Sequence, residues 1–370
     1  MNKKVCFVIG TLSGGGAERV VANLASELAV SGYKVDVITI YGDSVSYPMD
    51  AQVSHLPIEA CTKIRLLRPF ERVLKLVRLI RVKGPDVVIS FLADVNLHTL
   101  VASAFVNAKV IVSERNDPSK DPQSWVVRKI RDVIYHFADG VVFQTEDAKR
   151  HFLAGIQLKS VVILNPLPRS LSHRNAMVHP NPKKVFVTAC RLTPQKNVAM
   201  LIESFSLLRK EHPDFYLTIY GEGPLREGLE AQVRKLDLSS YVALPGFIDN
   251  LHEQLEQSYA FVLTSNYEGI PNALLEALAL GLPVISTDCP IGGARMFIKP
   301  FVNGILVPVG DVYQLYSAMR WMAANPTERE GMGNRACQIR YDLDLKSICR
   351  QWITYIDTVT SGRKCHDSTL

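Results

Sequence analysis

The sequence has little glycine and proline for its length, with 22 and 20 residues out of 370, which excludes collagen-like and low-complexity chains. Its seven cysteines are scattered, odd in number and never spaced C-x-x-C. This pattern excludes a disulfide framework or a zinc knuckle and fits reduced thiols in a cytosolic compartment. No apolar run approaches the ~18 residues of a membrane-spanning helix. The short run Val5–Ile9 indicates a first strand and not a signal peptide, so a soluble or peripheral protein is expected.

The net charge of +6 is concentrated in one segment. Residues 63–83 contain eight basic side chains and one acid, Glu71, so this segment carries +7 and the rest of the chain −1. A general nucleic-acid surface is more often spread over several elements. The chain is therefore close to neutral except for one basic element.

Strands and helices alternate along most of the chain, as in βαβ units that build a parallel sheet covered on both faces. The predicted strands are Val5–Ile9, Lys34–Ile40, Asp86–Phe91, Val110–Ser113, Gly140–Phe143, Lys184–Ala189, Tyr216–Tyr220, Tyr241–Leu244, Ala260–Thr264 and Pro283–Thr287. A Pro-rich break spans Leu164–Asn181, and residues 311–358 favour three helices. With 47% hydrophobic and 21% charged residues, the length suits two domains of about 150–190 residues each.

These patterns predict two doubly wound α/β domains, with residues 1–168 forming the first and residues 169–340 the second. Residues 341–370 are expected to form a C-terminal helix and tail that pack back toward the first domain. Ligands bind at the C-terminal strand ends of such sheets, so a cleft between facing domains is the expected active site. A single large α/β domain is the alternative.

The stretch from Ser265 to Ala277 follows a predicted strand and leads into a helix. Pro271 is expected at the first helical position, where free N–H groups are available to an anion. Because Glu268 and Glu276 would repel phosphate, they are better suited to accept hydrogen bonds from sugar hydroxyls. The alternative is an ordinary strand–loop–helix with one capping and one surface glutamate.

Two more strand-end loops have the composition of ligand sites. Arg191 and Lys196 lie in one loop, where two cations suit a diphosphate, although a solvated loop is the alternative. The other contains Gly14–Gly16, which allows close approach of the backbone to a ligand. Neither a G-x-G-x-x-G nor a P-loop sequence is present there, so a dinucleotide site is weakly supported.

Taken together, these loops resemble family 4 retaining glycosyltransferases of the two-domain GT-B fold, over nearly the whole chain. Bacterial enzymes that extend polyprenyl-diphosphate-linked glycans are the most similar. The matching motifs are Glu-x7-Glu (Glu268, Glu276), R-L-x-x-x-K-N (Arg191, Lys196), G-G-A-E-R (Gly15–Arg19), the turn Gly221-Glu222-Gly223-Pro224, and Gly246-Phe247.

The resemblance implies transfer of a sugar, N-acetylgalactosamine or a related hexose, from a UDP-sugar to a lipid-linked saccharide in surface or protein-linked glycan biosynthesis. It implies a peripheral enzyme on the inner face of the cell membrane. Arg191, Lys196 and Glu268 would be catalytic. The implied donor contacts are Gly15, Gly16, Arg191, Lys196, Phe247, Glu268, Gly269, Ile270, Pro271, Asn272, Ala273 and Glu276, and the implied acceptor contacts include Gly14, Gly15 and Arg115.

Within these sets, the resemblance assigns the cations to the departing diphosphate and the N–H groups of Ile270–Ala273 to its phosphates. Glu276 would bind the ribose, and Glu268 the donor sugar near its 3- and 4-hydroxyls. Neither a dedicated base nor a metal is implied. The sequence departs from the family pattern at Arg115, where many relatives have His, and in the loop 288–295, which lacks an acidic residue found in many relatives.

No cofactor or metal is expected. The one D-x-D string, Asp342-Leu343-Asp344, precedes the final helix, where Asp commonly caps. The nine histidines form no H-x-x-x-H pair. A nucleotide-sugar epimerase and a non-catalytic sugar-nucleotide-binding protein on the same fold remain the alternatives; a phosphorylase needs a much longer chain.

The basic segment predicts a helix from Pro69 to about Lys83. At 100° per residue its apolar face would contain Phe70, Val73, Leu74, Val77 and Ile80. Arg72, Lys75 and Arg78 recur along an edge of the opposite side. An ordinary solvated helix face usually has mixed signs, so this stripe is expected to hold the acceptor's diphosphate or anionic membrane head groups.

Overall fold

The structure, a computed structural model, describes residues 3–172 and 182–362. The chain divides into two compact units, which are Met1–Pro168 with Leu343–Leu370, and Arg169–Asp342. Residues 173–181 of the predicted Pro-rich break and residues 363–370 of the tail lie outside the described residues. The assignment of acceptor and donor binding to the two units stays a prediction.

The described residues form thirteen strands and fifteen α-helices. The strands are β1 (Lys4–Ile9), β2 (Lys34–Thr39), β3 (Ser54–Pro57), β4 (Val87–Phe91), β5 (Lys109–Ser113), β6 (Gly140–Phe143), β7 (Ser160–Val162), β8 (Val185–Ala189), β9 (Tyr216–Tyr220), β10 (Val242–Gly246), β11 (Ala260–Leu263), β12 (Val284–Thr287) and β13 (Gly304–Val307). The helices are α1 (Gly16–Val30), α2 (Arg68–Lys83), α3 (Ala93–Ser103), α4 (Trp125–Ile134), α5 (Glu146–Arg150), α6 (Ala154–Gln157), α7 (Arg169–Ser172), α8 (Val198–Glu211), α9 (Arg226–Lys235), α10 (Leu251–Glu256), α11 (Asn272–Ala279), α12 (Val312–Ala324), α13 (Pro326–Ala336), α14 (Ile339–Asp342) and α15 (Leu345–Ser361).

Each unit contains one parallel sheet. The first is ordered β3-β2-β1-β4-β5-β6-β7 and the second β10-β9-β8-β11-β12-β13. Central strands such as β4 and β11 are buried along their whole length, which explains their unbroken apolar sequences. The predicted class, α/β with two doubly wound sheets, is confirmed.

Three short strands, β3, β7 and β13, were not predicted from the sequence. β3 and β7 are the two edges of the first sheet, and β13 is an edge of the second. Edge strands are short and need no continuous apolar run, and β3 (Ser-His-Leu-Pro) has none. The region after residue 311 contains four helices where three were predicted, because the short α14 separates α13 from α15.

The predicted apolar face of α2 is only partly right, because Ile80 is buried as predicted but two other members of that face are exposed. Leu76 and Ile80 are the buried residues of this helix, whereas Phe70 and Leu74 are each 70% exposed. The buried side is therefore rotated by about a quarter turn from the predicted one. The error arose because α2 carries apolar residues on more than one side, so periodicity alone could not select the side that packs against the rest of the unit.

The last helix, α15, belongs to the first unit. Its buried residues join the core formed by β1, β4 and α1. Trp352 stacks on Phe91 with 5.7 Å between ring centroids, and the Tyr355 hydroxyl accepts from the Val141 N–H at 2.8 Å. Among the described helices, none has the length and apolar character to cross a membrane.

Candidate active site

The second sheet changes winding direction between β8 and β11, which are neighbours in the sheet although β9 and β10 lie between them in sequence. In open α/β sheets, ligands bind outside the carboxyl ends of the strands at such a switch point. The loop after β8 contains Arg191 and Lys196, and the loop after β11 contains Glu268. The topology thus brings these two predicted loops to one place.

Hydrogen bonds join the two loops directly. The Asn266 N–H donates to the Gln195 carbonyl at 2.7 Å, and the Asn266 side-chain amide donates to the Pro194 carbonyl at 2.9 Å. The Gln195 side chain donates in return to the Tyr267 carbonyl at 2.9 Å. These bonds fix the loops relative to each other.

Lys196 and Glu268 form an ion pair across the joined loops. Ser265 also donates its hydroxyl proton to the same Glu268 oxygen, at 2.6 Å. Burial disfavours the charged form of Lys196, but the Glu268 carboxylate outweighs this effect and raises the pKa of Lys196 above its ordinary value. The lysine is therefore a fixed cation, able to neutralise phosphate charge but unsuited to act as a base near neutral pH.

Glu276 lies in α11 and is almost fully buried. The helix begins at Asn272, with Pro271 as its N-cap residue, one position from the prediction. His252, near the start of α10, contacts a Glu276 carboxylate oxygen through Nε2 at 2.9 Å. Sequence reasoning missed His252, because no motif marks it and its partner is 24 residues away.

Arg191, after β8, and Phe247, after β10, are two more of the predicted donor contacts, and both are exposed. The turn 221–225 supports the Arg191 loop, because the Leu192 N–H donates to the Glu222 carbonyl at 2.9 Å and the Leu225 N–H donates to the Leu192 carbonyl at 3.1 Å. Arg191 is therefore held on a fixed backbone while its side chain stays accessible.

The loop after β12 closes against the Glu268 loop. A Cβ at Gly293 would collide with the Gly269 carbonyl oxygen, so only glycine allows this approach. The Thr287 hydroxyl donates to the Ser265 carbonyl at 2.6 Å. The family pattern has an acidic residue in this loop that the chain lacks. In its place, Arg295 donates through Nε to the Asp288 carboxylate at 2.7 Å.

In the first sheet the winding direction changes between β1 and β4, so the glycine loop after β1 lies at the switch point. Gly14 has a φ of 109°, which favours glycine, and Gly15 is the N-cap residue of α1. The Glu18 carboxylate lies where a Cβ on Gly15 would be. A carboxylate therefore already lies beside the N-terminus of α1, next to Gly16, and this favours hydroxyl groups over phosphate at the loop.

The three cations of the predicted α2 stripe have different surroundings. The Arg72 guanidinium lies 4.5 Å from the centroid of the Tyr41 ring. Lys75 pairs with Glu71 at 2.8 Å, and Arg78 is exposed. Their predicted contact with the acceptor stays a prediction, in which Arg78 is the most accessible of the three.

Arg115 is buried inside the first unit. Its guanidinium lies 4.4 Å from the Phe91 ring centroid and 5.6 Å from that of Trp352, and its Nη1 donates to Asn165 at 2.8 Å. Burial lowers the pKa of Arg115 to about 9. The role of Arg115 toward the acceptor stays a prediction.

The D-x-D string, possible metal ligands and the cysteines are the remaining groups considered from the sequence. Asp344 caps α15 by accepting from the Ser347 N–H at 3.0 Å, as the sequence predicted. Within residues 3–172 and 182–362, no group of three or more His, Cys, Asp and Glu side chains is arranged to hold a metal ion. The six cysteines described are free, and burial raises the pKa of Cys190 near Lys196 to about 11.

The two doubly wound sheets are those of the GT-B class of glycosyltransferases. Residues 171–338 match the family Glycosyl transferases group 1, and residues 15–166 match the Glycosyl transferase 4-like domain. Together the two matches cover most of the chain, which therefore belongs to the glycosyltransferases that combine these two domains. The resemblance recognised from its loops is therefore confirmed.

Two curated relatives from Campylobacter jejuni match nearly the full chain. One is a GalNAc-α-(1→4)-GalNAc-α-(1→3)-diNAcBac-PP-undecaprenol α-1,4-N-acetyl-D-galactosaminyltransferase, 26% identical over 97% of this chain and 99% of its own. The other, an N-acetylgalactosamine-N,N'-diacetylbacillosaminyl-diphospho-undecaprenol 4-α-N-acetylgalactosaminyltransferase, is 28% identical over 96% and 99%. An uncharacterized glycosyltransferase of Methanocaldococcus jannaschii is 32% identical over 65% of this chain, which spans 66% of that protein.

Solved structures with the same fold include two bound to UDP. A variant of Staphylococcus aureus TarM, in complex with fondaparinux, α-GlcNAc-glycerol and UDP, has a TM-score of 0.81 at 15% identity, covering 96% of this chain and 100% of its own. Anabaena HepE, in complex with UDP and glucose, has a TM-score of 0.81 at 18% identity, with 96% and 100% covered.

Proposed function

We propose that this glycosyltransferase transfers N-acetylgalactosamine or a related hexose from a UDP-sugar to a polyprenyl-diphosphate-linked saccharide, with retention of anomeric configuration. The observation that carries the proposal is the ion pair of Lys196 and Glu268 at the switch point of the second sheet, with Arg191 exposed in the same loop. Both Campylobacter jejuni relatives are named for transfer to undecaprenyl-diphosphate-linked acceptors, which supports this acceptor class. We place the reaction at the cytoplasmic face of the cell membrane, where such an acceptor is anchored.

In this proposal, Lys196 and Arg191 neutralise the charge that develops on the departing UDP, and the N–H groups at the start of α11 contact its phosphates. Glu276 accepts hydrogen bonds from the ribose, and Glu268 accepts them from the donor sugar. The fixed positive charge of Lys196 suits this role, because its pKa lies above the ordinary value. The leaving diphosphate takes the acceptor proton, so neither a dedicated base nor a metal is required.

The experiment measures UDP release from UDP-N-acetylgalactosamine with and without a polyprenyl-diphosphate-linked saccharide, in the presence and absence of EDTA. Acceptor-dependent release that survives EDTA, with an α-linked product seen by NMR, is expected. Loss of activity in EDTA would show that the enzyme needs a metal ion. A β-linked product would show that the anomeric configuration is inverted and not retained. Acceptor-independent formation of an epimeric UDP-sugar would support an epimerase, and UDP-sugar binding with neither reaction would support a non-catalytic binding protein.

A further inference from the structure

Helix α4 of the first unit turns its apolar side outward. Trp125 is 68% exposed and Val133 is 63% exposed, whereas Arg131 of the same helix is fully buried. The outward apolar strip, named here the α4 strip, consists of Trp125, Val126, Ile130, Val133 and the adjoining Phe137. A helix on the surface of a soluble domain normally shows the reverse pattern. Exposed apolar side chains grouped on one side of a helix are a feature of interaction surfaces.

The inward polar contacts hold α4 in this orientation. The Arg131 guanidinium donates to the Asp121 carbonyl at 2.6 Å and to the Pro118 carbonyl at 2.8 Å, and it lies 3.6 Å from the Glu114 carboxylate. Rotating the helix to bury its apolar side would leave these buried groups without partners, which is strongly unfavourable. The outward apolar face is thus built into the fold.

The composition of the α4 strip suits the interface of a bilayer. Trp125 and Phe137 lie at its two ends, about 18 Å apart along the helix axis. Aromatic rings are favoured at the membrane–water boundary. Lys129 lies within the strip and is the one charged residue of α4 that is exposed. Such a surface can bury apolar rings and place a cation at the level of the lipid head groups.

A second surface with the same character is close by. Helix α3 contacts both α2 and α4, and these three crossover helices lie on one face of the first sheet. On α2, Phe70 and Leu74 are each 70% exposed beside the exposed Arg78. Both outer helices thus combine exposed apolar side chains with positive charge.

Charge decides between a bilayer and a second copy of the chain. Residues 63–83 carry a net charge of +7. A two-fold dimer through this face would bring two such segments toward each other, because an isologous interface uses the same patch twice. An anionic lipid surface instead attracts the cations of both segments.

We propose that the α4 strip, together with the exposed face of α2, docks the enzyme on an anionic bilayer. This proposal rests on the proposed function, in which the acceptor is anchored in a membrane. The apolar side chains enter the interfacial layer, and Lys129 and Arg78 contact lipid phosphates. The sequence predicts that cations on α2 contact membrane head groups. The α4 strip adds an apolar contact surface on a different helix.

The first test is sedimentation with vesicles of phosphatidylglycerol and phosphatidylethanolamine. The double variant Trp125→Ser, Val133→Ser should bind at least tenfold more weakly than the parent chain. The matched control Val30→Ser, Tyr313→Ser also removes two exposed apolar side chains, neither of which lies on α2 or α4, and should bind like the parent. Equal binding of the parent and the double variant would overturn the proposal.

Fluorescence gives a second, site-resolved measurement. Trp125 is exposed, Trp321 of the second unit is half-buried and Trp352 is buried. In a Trp321→Phe background, lipids with brominated acyl chains should therefore quench mainly the emission of Trp125. Trp125→Phe keeps an apolar ring and should bind vesicles while losing most of the quenching. If sedimentation velocity shows a dimer that the double variant disrupts, and vesicle binding is unchanged, the surface is a dimer interface and the proposal fails.

Activity assays separate this proposal from the proposed function. The double variant should lose activity on acceptor in vesicles but keep it on a water-soluble saccharide diphosphate with a short alkyl chain. If the parent transfers sugar to neither acceptor yet binds vesicles through the α4 strip, the proposed function fails and the docking surface stands. If the double variant loses both activities equally, while vesicle binding is unaffected, the docking surface fails.

Discussion

At the scale of single residues, the candidate site depends on how each charged side chain is held. Lys196 is paired with Glu268 inside the joined loops, whereas Arg191 is exposed on the same loop. Removing Lys196 therefore also leaves a buried carboxylate without its cation, which confounds catalysis with stability. Arg191 allows a cleaner measurement, because its side chain makes no such contact with Glu268 in the described residues.

We predict that Arg191→Gln lowers kcat by about 10²–10³, the effect of losing one preorganised donor that stabilises developing charge. The KM for the UDP-sugar should change much less, because the charge on the diphosphate is largest in the transition state. Steady-state kinetics measures both constants, and thermal unfolding checks that the variant is folded. A folded Arg191→Gln protein with normal kcat would remove this residue from the mechanism.

His252 should act as a positioning residue for Glu276. Replacing it with Leu removes the 2.9 Å contact to the carboxylate and should weaken UDP binding about tenfold, the lower limit for a hydrogen bond to a charged group. Calorimetric titration with UDP measures the affinity, and kcat at saturating donor should stay near normal. His252→Gln, which keeps a donor, should restore much of the affinity; failure of Gln to do better than Leu would argue against positioning.

Glu114 should make the stability of the first unit depend on pH. Burial raises the pKa of this carboxyl from 4.5 to about 7, against the opposing effect of Arg131; Asp121 raises it further, and hydrogen bonds from the Tyr135 hydroxyl and the Arg115 N–H lower it. Between pH 4.5 and about pH 7, the folded state therefore keeps a proton on Glu114 that the unfolded state has released. Its contribution to the free energy of unfolding should fall as pH rises from about 4.5 to about 7, by about 3 kcal/mol at most.

Urea unfolding at several pH values measures this dependence. In a Trp321→Phe background, tryptophan emission reports the first unit alone, because Trp125 and Trp352 both lie in it. Glu114→Gln should flatten the pH dependence between 4.5 and 7. A parent protein whose first unit gains stability over this interval relative to Glu114→Gln would contradict the raised pKa.

At the scale of elements, α2 shows why the choice of helix face needs the structure. Leu76→Ala should cost about 2–5 kcal/mol of unfolding free energy, because Leu76 is fully buried. Leu74→Ala, two positions earlier and 70% exposed, should stay within about 0.5 kcal/mol of the parent. Denaturant unfolding of the two variants side by side measures the difference. The face predicted from sequence requires the opposite order.

At the scale of the whole molecule, the first unit is completed by the end of the chain. Trp352 in α15 stacks on Phe91 in β4 and is almost fully buried. Trp352→Ala should therefore destabilise the first unit by about 3–5 kcal/mol, as expected for a large core aromatic, and leave the second unit unchanged. Amide hydrogen exchange, measured separately for peptides of β4 and β11, resolves the two units. Equal loss of protection in both would show that the units unfold together.

The sequence by itself determined the class of fold and the residues at the switch points. Buried parallel strands have long apolar runs, and strand-end loops carry glycine, cations and carboxylates in a recognisable order, so ten strands and the Arg191, Lys196 and Glu268 loops were identified locally. Tertiary structure decided what depends on contacts between distant residues. Examples are the pairing of His252 with Glu276, the burial of Arg115 against Trp352, and the outward face of α4. A helix with apolar residues on several sides has no preferred face of its own. The elements it packs against and the buried polar partners it meets therefore decide which side is buried.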